Sequence, residues 1–320
     1  MDLHLLFDNL TNPALLFFFL GILAVQFKSD LEIPANSSKF ISLYLLLSIG
    51  FKGGQELSHS TFDQEILLSI LCGILLAFLV PFYSYFLLRR KFSVSNAGAI
   101  AASYGSVSAV TFVTAISFLE MENINFGGHM VAVMALMEAP SIIIGVLLIV
   151  LFDKERQDKV NLGNLIKHSL TNGSVLLILG SLVIGFLASE KQAEGIKPFT
   201  TDIFKGFLAV FLLDMGITSG KKILALLDKG WFALFFAIIV PLMNGTMVAI
   251  ISSSFTDSTG NRFLLSILAA SASYIAVPAA MRIAAPKANP SLYLPMALAI
   301  TFPFNITLGM PLYLWIVQTF

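Results

Sequence analysis

The chain has 320 residues, 57% hydrophobic and only 12% charged, with 19 basic and 19 acidic residues cancelling to zero net charge. A soluble domain carries about 25% charged residues, so a soluble globule is excluded, and zero net charge gives no support to a nucleic-acid partner. The single Cys72 excludes an intrachain disulfide and a cysteine-based metal cluster.

Stretches 9–27, 66–88, 92–119, 168–189, 230–256, 263–281 and 288–320 hold no Asp, Glu, Lys or Arg. Each can cross about 30 Å of hydrocarbon as a helix. Three further apolar runs carry one charge, Lys52, Glu138 or Asp214, which brings the prediction to ten spans. Little chain remains for a soluble domain, and residues 1–320 read as a single membrane domain.

The first span, 10–27, follows Asp2 and Asp8, with no basic residue before Lys28. It lacks the basic start of a cleaved signal peptide and reads as a real span. The second, 37–54, ends in Gly50-Phe51-Lys52-Gly53-Gly54, and Lys52 is expected to snorkel to the outer boundary. The third, 66–89, carries Val80-Pro81 in mid-helix. In the fourth, 95–119, Ser103, Tyr104, Gly105, Ser106, Ser108 and Thr111 crowd together. The fifth, 128–152, places Glu138 two residues before Pro140. The sixth is 170–188, and the seventh, 199–220, holds Asp214, read as structural or interfacial, before Gly216 to Gly220. The eighth, 230–253, repeats a mid-helix proline at Val240-Pro241. The ninth, 262–282, brings Ser271, Ser273, Tyr274 and Pro278, and the tenth, 291–318, brings Thr301 and Asn305.

With the N-terminus outside, the outer side receives Lys52, Lys191, Lys197, Lys205 and Arg262, and the inner side receives every other basic residue. The positive-inside rule therefore predicts both termini outside.

The halves repeat each other. Ala102 to Ala109, ASYGSVSA, matches Ala272 to Ala279, ASYIAVPA, and Gly50 to Gly54 matches Gly216 to Gly220. Val80-Pro81 matches Val240-Pro241, and Met134-Ala135-Leu136 matches Met296-Ala297-Leu298, with Pro140 and Pro303 just after. Five spans map onto five, at about 10–152 and 170–318, and an odd number per repeat inverts the second half in the membrane. Inverted repeats are a transporter signature.

Gly105 and Pro278 weaken continuous helix in the fourth and ninth spans. A break at membrane depth must face protein or a water-filled cavity. Two broken, crossing helices would aim half-helix N-termini at one place and hold a small anion without Arg or Lys, while hydroxyl and carbonyl oxygens beside it suit Na⁺. Small residues that merely allow close helix packing are the competing explanation. Intramembrane acids are costly and usually functional, so Glu138 is expected to line the cation or coupling site, opposite a repeat counterpart around Thr301 and Asn305.

Other patterns lead nowhere. Gly216 to Lys222 is one residue short of a P-loop, and His4, His59, His129 and His168 show no ligand spacing. Clustered acids and a nucleophile with its base are missing, so an enzyme or receptor is disfavoured, and no cofactor beyond Na⁺ as coupling ion is expected.

The chain resembles the sodium-dependent bicarbonate transporter family of cyanobacteria and its bacterial permease relatives. The resemblance is carried by Leu31 to Pro34, Gly50 to Gly54, Gly105 to Ser108 with Thr111, Pro278, Arg282, and Ala288 to Tyr293 with its Asn289-Pro290-Ser291 run. It implies an all-α, ten-helix, five-plus-five inverted repeat working as an elevator, with helices 1, 2, 6 and 7 as scaffold and helices 3–5 and 8–10 as transport part. A homotrimer in a bacterial inner membrane, importing bicarbonate with Na⁺, is also implied.

Together, these readings assign Gly105, Ser106, Ser108, Ser273, Tyr274 and Ala276 to the anion, and Ser103, Thr111, Glu138, Ser271, Thr301 and Asn305 to Na⁺. The chain departs from the family at Ser273 to Pro278, where bicarbonate transporters carry Ser-Asp-Ile-Ser-Gly-Pro. This leaves a small organic anion, or Na⁺/H⁺ antiport, as alternatives, the latter disfavoured by Tyr274 in place of an acid. The Asp153–Ser169 loop is shorter than in cyanobacterial members, so docking of their small nucleotide-sensing regulator does not follow from the resemblance and stays open.

Overall fold

The computed structural model describes residues 3–60, 62–153, 163, 167, 171–227 and 230–320; most of the Asp153–Ser169 loop lies outside them. Every regular element among the described residues is helical. In chain order they are α1 (Leu3–Leu10), α2 (Pro13–Gln26), α3 (Ala35–Ser58), α4 (Gln64–Leu88), α5 (Val94–Gly105), α6 (Ala109–Met121), α7 (His129–Phe152) and α8 (Gly173–Leu187). There follow α9 (Glu190–Lys197), α10 (Phe204–Leu227), α11 (Trp231–Ile251), α12 (Thr259–Ala270), α13 (Ala276–Ala284) and α14 (Pro290–Thr319). The last contains wide π turns over Met296–Thr301 and Asn305–Gly309.

The starts are written locally. Asn12 accepts from Ala14 N at 2.8 Å and Asn289 from Ser291 N at 2.9 Å, each followed by a proline at the first helical position. Asp63 opens α4 by accepting from Ile66 N at 3.1 Å.

Among the described residues, six helical segments are long and apolar enough to cross a membrane: Gln64–Leu88, Val94–Met121, His129–Phe152, Glu190–Ile223, Trp231–Ser254 and Pro290–Thr319. The remaining four predicted spans fall short for identifiable reasons. Pro13–Gln26 and Gly173–Leu187 are apolar but only 14 and 15 residues long. α3 mixes its apolar run with Lys39, Lys52 and Glu56, and the ninth span is divided into α12 and α13.

Two helix pairs cross at glycines. A Cβ on Gly21 of α2 would overlap the Leu213 carbonyl of α10, and one on Gly54 of α3 would overlap the Leu182 carbonyl of α8. Only hydrogen at these positions lets the backbones touch. The other helices form a second group, in which α4 packs on α5 and α7 while α11 packs on α12 and α14. Outward from this group, α4 exposes Leu71, Leu75 and Leu79, and α11 exposes Trp231, Phe235 and Ile239, each at four-residue steps that make one apolar stripe.

The paired prolines explain the repeat in atoms. A proline inside a helix removes the N–H that would bond the carbonyl four residues earlier. Pro81 thus frees Ala77 O, which accepts from Ser141 Oγ at 2.9 Å; Pro241 frees Ala237 O, which accepts from Thr301 Oγ1 at 2.7 Å. Residues 77, 81 and 141 correspond to 237, 241 and 301, all at the same separation.

The matching octapeptides do not correspond in space. Their offset of 170 places Ser103-Tyr104 against Ser273-Tyr274, yet the first pair lies inside α5 and the second lies between α12 and α13. The equivalent helix ends are Ser106 (φ −83, ψ 173) and Ser271 (φ −85, ψ 166), both turning to extended backbone.

Candidate crossover site

The fourth and ninth predicted spans are both broken, and the two breaks touch. α5 stops at Gly105 because the next residues are extended, and Gly105 lies so close to Pro81 of α4 that a Cβ would overlap the proline ring. α6 starts immediately after Ser108, whose Oγ accepts from Thr111 N at 3.2 Å. In the second half, Ser273 Oγ accepts from Val277 N at 3.4 Å at the start of α13. Pro278 sits in the first turn there, where its missing N–H costs nothing.

Backbone hydrogen bonds stitch the breaks together. Ser273 N donates to Ser103 O at 2.8 Å, and Ser108 N donates to Ser271 Oγ at 3.1 Å, which itself donates to Leu268 O at 3.0 Å. Asn305 Nδ2 of α14 donates to Ala270 O at 2.7 Å, so it caps the end of α12. Thr301 gives its proton to Ala237 O, and its oxygen lies 2.8 Å from the Tyr104 hydroxyl, which is left as the donor of that pair. The N-termini of α6 and α13, with their partial positive charge, consequently meet at the crossing.

Beside the crossing is a cavity of about 20 Å³, room for one water-sized molecule. Ser108, Glu138, Ser273 and Tyr274 line one side, and Ser42 of α3 and Ser174 of α8 line the other. The cavity lies between the α3–α8 pair and the crossing helices.

Of the residues assigned to the anion, Ser108, Ser273, Tyr274 and Ala276 line this cavity, while Gly105 and Ser106 do not. Ser106 is fully buried, and its Oγ has no hydrogen-bond partner among the described residues. Of the residues assigned to Na⁺, Ser103, Thr111, Ser271, Thr301 and Asn305 are all buried. Ser103 Oγ and Asn305 Oδ1 have no partner among the described residues. Glu138 stands with the anion set, in the cavity, which Thr301 and Asn305 do not line.

A second cluster escaped the sequence reading. Lys52, expected to snorkel, instead donates to Glu120 of α6 at 2.8 Å, with Lys205 of α10 at 3.9 Å from the same carboxylate. A cavity of about 380 Å³ opens there, lined by Lys52, Glu56, Glu120 and Asn123. Glu120 ends a charge-free run, so its pairing partner on another span was not visible; the signal available was the lone base Lys52 and the acids Glu120 and Glu122 at the same predicted depth. Asp214 accepts from Ser38 Oγ of α3 at 2.5 Å and so ties α10 to the start of α3, in keeping with an interfacial role.

Comparison with curated proteins gives no match. The family model of the Na⁺-dependent bicarbonate transporter superfamily matches residues 13–318, which spans both helix pairs and both breaks. The protein therefore belongs to the Na⁺-dependent bicarbonate transporter superfamily, a family of membrane transporters, and its polytopic helical architecture accords with that membership.

Proposed function

We propose that the protein is a secondary transporter that moves a small inorganic anion, bicarbonate, together with Na⁺. The observation that carries this reading is the meeting of two helix N-termini beside a cavity lined by Ser108, Ser273 and Tyr274. Backbone N–H groups and hydroxyls at such a place bind an anion without a basic side chain. The small cavity favours an inorganic anion over an organic one, and it must widen before bicarbonate fits. The buried oxygens of Ser103, Thr111, Ser271, Thr301 and Asn305 form the Na⁺ side, with Ser103 Oγ and Asn305 Oδ1 the freest of them.

Ten spans in a five-plus-five inverted repeat suit the paired contacts of the two halves. The α2–α10 and α3–α8 pairs act as scaffold, and the α4–α7 and α11–α14 helices slide against them as an elevator. The cavity and the Lys52–Glu120 pair lie on the boundary between the two groups, where such motion would open and close them. A homotrimer in the bacterial inner membrane with both termini outside completes the reading.

The test is uptake of labelled bicarbonate into proteoliposomes under an inward Na⁺ gradient, with K⁺ controls and a panel of organic anions. Na⁺-dependent bicarbonate flux supports the assignment. Flux of another anion, without bicarbonate, overturns the substrate and keeps the mechanism; no flux of any anion overturns both.

A further inference from the structure

The Glu138 carboxylate faces the cavity just assigned to the anion, which is a paradox for a site that must attract negative charge. Its surroundings offer no relief. The side chains facing it from α3 and α8 are neutral, with Ser42 and Ser174 their only polar groups; from the crossing come Ser108, Ser273 and Tyr274. Among the described residues, Tyr274 is the one other titratable group in the lining, and no Lys, Arg, His or second carboxylate acts on Glu138. Neither a hydrogen bond nor an ion pair reaches it among the described residues.

The serine hydroxyls of the lining have protons to give. Ser108 Oγ accepts from Thr111 N and Ser273 Oγ accepts from Val277 N, so each hydroxyl keeps its own proton to give. Hydroxyl donors beside two helix N-termini suit an acceptor such as an anion. The carboxylate and an incoming anion would compete for the same donors and repel each other in a dry space.

We infer that Glu138 takes up a proton when the anion binds, so that the transported anion is accompanied by a proton held on this side chain. The proton comes from bulk water on the side of loading, rests on a carboxylate oxygen while the site is occupied, and returns to water when the anion leaves. As a neutral acid Glu138 also gains an O–H to donate to the anion. The inference rests on the crossover being an anion site.

Calorimetric titration of the purified protein with bicarbonate in Na⁺ buffers of different ionisation heat, at about pH 8, counts the protons; about one per anion bound is expected. Wild-type affinity should fall as pH rises, up to about tenfold per pH unit once Glu138 is ionised in the free protein. Glu138→Gln should show no proton uptake and an affinity that stays flat with pH. Binding by the wild type without proton uptake, or proton uptake that survives in the Gln variant, overturns the inference while leaving the anion site standing. Failure of the wild type to bind bicarbonate or any tested anion overturns the anion site itself. If the Gln variant does not fold, a wild-type count of zero still overturns the inference, and Glu138→Asp, which should keep the uptake but move its pH dependence, takes the variant's place; an unmoved pH dependence overturns it.

Discussion

The first helix break is short and backed by a wall; the second is longer and presents side chains. Ser106 to Ser108 turn the chain in three residues, with Gly105 pressed on the Pro81 ring behind them. Ser271 to Ile275 take five residues, with Tyr274 packed edge-on against Phe302 at 5.9 Å and Ile275 45% exposed. The first break has little freedom and fixes where α6 begins. The second has more side chains in play.

Substitutions can break or sharpen that contrast. Gly105→Val forces methyl groups into the Pro81 ring and should cost about 3 kcal/mol, whereas Ile275→Ala should change stability by no more than about 0.5 kcal/mol. Thermal unfolding in detergent measures both, and equal losses would mean that the two breaks are equally constrained. Next in size are Ser141→Ala and Thr301→Val, which leave the proline-freed carbonyls of Ala77 and Ala237 unbonded at about 2 kcal/mol each. Thr301→Val should be the worse of the pair because Tyr104 loses its partner too; the reverse order would remove the second half's extra tie.

Ser108→Ala and Ser273→Ala each remove a helix-start hydrogen bond worth about 1 kcal/mol. Bicarbonate uptake should drop about fivefold, more for Ser108, whose bond is the shorter at 3.2 Å against 3.4 Å. Unchanged uptake in both would favour small-residue packing over binding. The smallest effect is expected from Lys52→Gln. Its pair with Glu120 is about one-third exposed, with side-chain exposures of 31% and 30%, so the loss should stay below about 1 kcal/mol and shrink as salt is added.

Much of this was legible in the chain. Long charge-free runs forced helices, and Pro81 with Pro241 announced equivalent helices. The crowding of Ser103 to Thr111 and of Ser271 to Pro278 pointed to the crossing. Register was misled by identity: ASYGSVSA and ASYIAVPA align as text, but the first straddles the end of α5 while the second lies wholly beyond the end of α12 and runs into α13. Local similarity of small residues carries little positional information, because Ala, Ser and Gly fit helix interiors and extended turns alike.

The sequence by itself determined that the chain is helical, membrane-embedded, internally repeated and broken at two places, because hydropathy, proline and glycine act through the local backbone. Only the tertiary structure decided which oxygens remain free. Thr301 is spent on the carbonyl that Pro241 releases, Asn305 gives its amide to the end of α12, Lys52 finds Glu120 across a helix boundary, and Glu138 turns to the cavity of Ser108 and Ser273. A hydrogen bond or an ion pair is a fact about two segments in contact, and no reading of one segment contains it.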